Sequence, residues 1–158
     1  ASPCSRDSGR VVREGLDEGA VRELAAEVAR RLRPGDVVVL AGEVGSGKST
    51  FVRAAARALG VKERVTSPTY QLARSYEGFA GGRRVVVNHL DLYRVEELGA
   101  WDALSLEDYL TPEAVTFIEW ADPALGVLEE PTVIRLEHES PRTRRVSVEG
   151  PVARRMEC

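Results

Sequence analysis

The chain has 158 residues, a net charge of −3 and only two cysteines, Cys4 and Cys158. That length suits one compact domain, able to bury a core without disulfide or metal staples. The mildly acidic balance argues against a general nucleic-acid binder. No apolar run approaches the ~20 residues a membrane span needs, and residues 1–10 lack the apolar stretch of a signal peptide.

Val11–Glu14 reads as a short first strand. Val21, Leu24, Ala25, Val28, Ala29 and Leu32 then recur on one helical stripe. Asp17 is the expected N-cap, and Pro34-Gly35 ends the helix. Val37–Ala41 is a continuous apolar run, the mark of a strand covered on both faces. A glycine-rich loop follows, then a helix from about Lys48 to Leu59, with Gly60 as its stop.

Gln71–Tyr76 and Arg84–Asn88 read as a hairpin around Gly78–Gly82. Residues 95–110 carry Leu98, Trp101, Leu104 and Leu106 in a broken helical pattern. Val115–Ile118 is another buried-type strand, ending at Glu119-Trp120. Thr132–Glu137 and Arg144–Glu149 alternate as a last hairpin around Ser140-Pro141. The expected architecture is a single α/β domain over 1–158, with residues 1–10 and 151–158 flexible. Its mixed sheet holds hairpin strands and is covered by helices on both faces, as in P-loop NTPases.

Gly42-Glu43-Val44-Gly45-Ser46-Gly47-Lys48-Ser49 matches G-x-x-x-x-G-K-[ST] without a gap. Gly42, Gly45 and Gly47 permit backbone angles that a Cβ would block. Successive N–H groups then turn inward on phosphate oxygens, and the next helix presents its positive dipole end to the same anion. Lys48 adds a full charge toward the terminal phosphates, and Ser49 offers a hydroxyl to Mg²⁺. Thr50 either helps hold the loop or is a small first-turn residue. The plain alternative is a glycine turn at a helix start.

Phosphoryl chemistry also needs an acid for the metal and a group that orients the nucleophile. Glu119 and Asp91 each end a strand, where such acids lie in open α/β sheets. Glu119 reads as a metal or water-orienting acid; the alternative is an exposed strand-end acid. Asp91 reads as a group on the γ-phosphate side or as a cap ahead of residue 95. Thr66, Ser67 and Thr69 are hydroxyls around Pro68, either a γ-phosphate-sensing segment or a plain Pro turn. His89 reads as a packed or surface histidine, and Trp120 as core or interface filler.

Both cysteines read as exposed or frayed thiols, since neither has a second Cys or a His at ligand spacing. That usage fits a reducing compartment, so a soluble cytoplasmic protein is expected. Arg142, Arg144, Arg145, Arg154 and Arg155 read as a solvated strand face and tail, with an anionic contact as the alternative. Asn88-His89-Leu90-Asp91 lacks the lysine of a guanine-recognition loop, no D-x-x-G follows the glycine loop, and no ABC signature occurs. A small-molecule kinase stays open, although residues 95–111 are acidic where such kinases carry an arginine-bearing lid.

The ordered set of motifs resembles the TsaE (YjeE) family of bacterial ATPases required for threonylcarbamoyladenosine formation on tRNA. The resemblance runs through Arg33-Pro34-Gly35-Asp36, the loop Gly42–Thr50 with Phe51, and Ser67-Pro68-Thr69-Tyr70. It continues in His89-Leu90-Asp91-Leu92-Tyr93-Arg94, Leu106-Glu107-Asp108-Tyr109-Leu110 and Ile118-Glu119-Trp120. Glu43, Val44 and Ser46 stand where Asp, Leu and Ala are more usual, and Ser49 where threonine is. The resemblance implies that Lys48 and the loop from Gly42 to Thr50 bind ATP phosphates, with Ser49 and Glu119 on Mg²⁺. It implies that Asp91 aids hydrolysis and that Ser67–Tyr70, with Thr69, forms a switch-type segment at the nucleotide. It further implies weak intrinsic ATP turnover and a TsaD–TsaB partner pair, which would hold the tRNA, so that tRNA is met only indirectly. Two other readings remain: a kinase on the same scaffold, or a nucleotide-gated binding module.

Overall fold

A computed structural model describes residues 4–7, 9–43, 45–65, 73–92, 106–121, 126 and 128–156. The elements in chain order are β1 (Cys4–Asp7), β2 (Arg10–Leu16), α1 (Glu18–Arg31), β3 (Val37–Ala41), α2 (Lys48–Ala58) and β4 (Ala73–Ala80). Then come β5 (Arg83–Asp91), a 3₁₀ turn (Leu106–Asp108), β6 (Ala114–Glu119), β7 (Thr132–His138), β8 (Arg144–Glu149) and α3 (Pro151–Arg155). The strands form one eight-stranded sheet in the order β1-β2-β8-β7-β3-β6-β5-β4. Its centre, from β7 through β3 and β6 to β5, is parallel. Antiparallel strands flank it on both sides.

Pleating sorts the side chains of the central strands onto two faces. Val38 and Leu40 of β3 share one core with Val85, Val87, Phe117 and the buried stripes of α1, α2 and α3. Val39 joins Leu90, Leu92 and Ile118 on the other face, where the 3₁₀ residue Leu106 packs with Tyr109 and Leu110. The sheet is thus mixed; among the described residues, the α-helices pack on one face and the 3₁₀ turn on the other. Buried polar groups pin that turn: Asn88 donates its amide to the Tyr109 carbonyl at 3.1 Å, and the Thr116 hydroxyl donates to the same oxygen at 2.7 Å. Satisfied bonds of this kind avoid the penalty of an unpaired buried dipole.

Local chemistry explains the element ends. Asp17 caps α1 by accepting from the Ala20 N–H at 2.8 Å. Gly60, at φ +81°, closes α2 in the left-handed region. The hairpin differs in detail from the sequence expectation. Its turn is only Gly81-Gly82, both at positive φ, as a two-residue turn of the mirror-image type requires. Gly78 lies inside β4 instead, because a Cβ there would sit 2.7 Å from the Leu59 carbonyl oxygen.

The chain ends, expected to be flexible, are built in where they are described. Residues 4–7 pair with β2. Val152, Ala153 and Met156 are fully buried under α1, and the Val152 N–H donates to Thr132 Oγ1 at 3.1 Å. A helix of five residues carries too little periodicity to read in advance. The helical reading of residues 95–110 and the hydroxyls of 66–69 lie outside the described residues, apart from the 3₁₀ turn at its end. No described helix is long and apolar enough to cross a membrane.

Candidate functional site

Four elements converge at the carboxyl end of the parallel strands. β3 delivers the glycine loop, and α2 starts at Lys48 with Gly47 (φ +104°) before it. No side chain caps that helix start, so its first N–H groups are left for another acceptor. Gly42 has no substitute: its φ is +146°, and a Cβ would lie 2.5 Å from the Leu136 carbonyl oxygen and 2.7 Å from Ser46 Oγ. β7 therefore runs tight against the root of the loop.

On the other side, β5 and β6 run in parallel register with Asp91 beside Glu119. His89 and Asp91 are two residues apart, as are Phe117 and Glu119, so all four share the α2 face. Gly45, Gly47, Lys48, Ser49, Thr50, Asp91, Glu119 and Trp120 line a cavity of about 370 Å³. The structure thus brings together most of the residues that the sequence singled out, from three separate chain segments. Gly42 and Glu43 border a neighbouring cavity with Trp120 and Arg135–His138. Ser46 is buried beneath the loop, and Val44 and Thr69 lie outside the described residues.

Lys48 is only 7% exposed. Its ammonium donates to the Gly42 carbonyl at 2.7 Å and lies 3.7 Å from the centre of the Trp120 ring. Burial pulls its pKa below the ordinary lysine value, while the Glu119 and Asp91 carboxylates push back. Trp120 adopts φ +55°, a costly conformation for an aromatic residue. Glu119 is buried, and its Oε2 meets His89 Nε2 at 2.6 Å.

Sequence reasoning assigned three of these residues blander roles. Trp120 lines the cavity and seats the Lys48 ammonium. His89 is packed, as expected, yet its partner is the candidate metal acid. The visible signal was its spacing, one residue removed from Asp91 on the same strand face. Arg144, read as part of a solvated face, reaches across to the loop. Its Nε donates to the Ser46 carbonyl at 3.2 Å and its Nη2 to that of Gly45 at 3.4 Å. With Asp17, Glu18, Val21, Pro141 and Arg142 it borders a second cavity of about 460 Å³ against Gly45–Gly47 and Thr50. Nothing in the local pattern announces a contact 98 residues away.

The donor set fits a magnesium nucleotide. Mg²⁺ is usually held by one or two protein oxygens plus substrate phosphates, not by a dedicated cage. Ser49 and Glu119, which both line the cavity, supply that number.

Comparison with known proteins finds related chains. A model of the family "Threonylcarbamoyl adenosine biosynthesis protein TsaE" matches residues 16–146. The chain is 39% identical over 117 residues to the tRNA threonylcarbamoyladenosine biosynthesis protein TsaE of Streptomyces coelicolor, covering 73% of this chain and 75% of that protein. It is 36% identical over 106 residues to the protein of the same name from Treponema pallidum, covering 67% and 75%. Among solved structures, YdiB of Bacillus subtilis superposes with a TM-score of 0.72 at 24% identity, covering 96% of this chain and 91% of that one.

Proposed function

The chain belongs to the TsaE family of tRNA threonylcarbamoyladenosine biosynthesis, and from that premise we propose that it is a Mg²⁺-dependent ATPase supporting this modification. The observation that carries the reading is the meeting of Lys48, Ser49, Asp91 and Glu119 around one cavity at an uncapped helix start. The nucleotide phosphates lie on the amides of the loop Gly42–Thr50. Lys48 exchanges the Gly42 carbonyl for the triphosphate, which satisfies its buried charge better. The second cavity, beside Thr50 and Arg142, has room for the base and ribose, and Asp17 and Glu18 offer acceptors there.

Ser49 and Glu119 would hold Mg²⁺, which when bound would supply charge neutralisation on the phosphate oxygens. Asp91 stands beside Glu119 at the strand ends and orients the attacking water. On this reading intrinsic turnover is slow, as the family resemblance implies. A TsaD–TsaB-type partner pair raises it and holds the tRNA, which this acidic chain meets only indirectly. Work on tRNA of this kind belongs in the cytoplasm.

The test is phosphate release from ATP·Mg²⁺, alone and with a TsaD–TsaB pair. Slow release without any acceptor, accelerated by the pair, is expected. Release that appears only on adding a small metabolite would mark a kinase instead. An Asp91→Asn protein that binds ATP and partner normally should fail in modification; full support of modification would leave a binding module whose hydrolysis is incidental.

A further inference from the structure

Glu119 and His89 form a pair that phosphate binding does not explain. Their side chains are 5% and 2% exposed and meet at 2.6 Å. An ionised carboxylate only accepts, so His89 Nε2 carries the hydrogen and donates it. Its Nδ1 has no partner among the described residues.

Geometry shows what that bond does. His89 pairs in register with Phe117, two residues before Glu119 on the same face. The ring therefore lies beside the carboxylate on the α2 face, and His89 is not among the residues that line the cavity. It engages Oε2 of a carboxylate whose residue lines the same cavity as Ser49 and Lys48. A carboxylate on a flexible side chain samples several rotamers; one charge-assisted hydrogen bond selects one. Partners of this kind around metal ligands commonly tune affinity without touching the metal.

We propose that His89 is a positioning residue, which fixes the Glu119 carboxylate in the orientation that receives a divalent cation. The inference rests on the reading of Glu119 as the metal acid. It assigns His89 no contact with nucleotide.

The experiment titrates Mg²⁺ into the full chain with a non-hydrolysable ATP analogue and reads binding by calorimetry. It compares wild type with His89→Gln, His89→Asn, His89→Leu and Glu119→Gln. A glutamine amide reaches the position of Nε2, whereas an asparagine amide reaches only that of Nδ1. His89→Asn and His89→Leu should raise the half-saturating Mg²⁺ concentration by about tenfold or more, and His89→Gln should stay within about threefold of wild type. Analogue binding in EDTA should be the same in wild type and the three His89 variants. A Gln variant as impaired as the Asn variant, or an Asn variant titrating like wild type, would overturn the proposal. This Asn–Gln pair keeps the test decisive if the Leu variant fails to fold. An unchanged Mg²⁺ requirement in Glu119→Gln would instead sink the underlying assignment of the metal acid.

Discussion

The two flanks of the glycine loop are built on opposite plans. On the β5–β6 flank, charge is concentrated: Asp91, Glu119 and the Lys48 ammonium share one cavity, with His89 behind. On the β7–β8 flank, the charge faces backbone. Arg144 spends its guanidinium on the carbonyls of Gly45, Ser46, Ser140 and Thr143. Arg144 on the Gly45 and Ser46 carbonyls, together with the Ser46 N–H on the Glu43 carbonyl at 3.0 Å, fixes the course of the loop. One flank holds groups that can act on a ligand, and the other holds the shape of the loop that receives it. The difference predicts that substitutions on each side fail in distinguishable ways.

The largest break is Lys48→Ala. Calorimetry should show ATP affinity reduced by about 3 kcal/mol, on the order of a hundredfold in Kd, from loss of a desolvated cation on the triphosphate. An unchanged Kd would remove Lys48 from the phosphate site. Next is Gly42→Ala, at the root between the flanks. The added methyl meets the Leu136 carbonyl and Ser46 Oγ, and φ is unsuited to it. Unfolding in denaturant should show roughly 3 kcal/mol less stability, because backbone cannot give way as a flexible side chain can.

Arg144→Ala sharpens the contrast further. It should weaken nucleotide binding by about tenfold, the value of one or two hydrogen bonds, yet leave the Mg²⁺ requirement of the remaining binding unchanged. A shifted Mg²⁺ titration in this variant would show that the flanks are not separable. Arg144→Lys should recover little, since one ammonium cannot span both loop carbonyls.

The smallest effect lies outside both flanks. Glu27 accepts from Arg13 at 3.0 Å between α1 and β2, and that hydrogen bond holds its carboxyl below the ordinary value against the opposing pull of burial. A lowered folded-state pKa contributes stability above the unfolded value that is lost as pH falls through the folded one. Glu27→Gln should cost about 1 kcal/mol at neutral pH and flatten the acid limb of the stability curve. It should leave ATP binding untouched. Urea melts from neutral pH to below about 4.5 check the stability points, and calorimetry with ATP checks the last.

Much of this arrangement was legible in the sequence because it is local. The apolar run Val37–Ala41, the loop glycines and the stripe from Val21 to Leu32 each specify their own element through spacing. Asp91 and Glu119 were legible because each closes an apolar strand. What escaped is non-local. The His89–Glu119 contact depends on strand register, which no single segment encodes. Arg144 reaches the loop only because β7 lies beside β3 and β8 beyond it. Gly78 looked like a turn residue, since close approach to α2 and a tight turn both select glycine. α3 was hidden by its brevity, and by the fact that its cover, α1, is far away in the chain.

The seat of the Lys48 ammonium over the Trp120 ring has a practical corollary. An ammonium held 3.7 Å from an indole centre perturbs the excited state of that indole. A ligand that draws the amine away should therefore change the emission of Trp120 in step with occupancy. In a Trp101→Phe background, which leaves one tryptophan, the molecule becomes its own fluorometer. Arrival and departure of a triphosphate could then be timed by stopped flow without any attached dye.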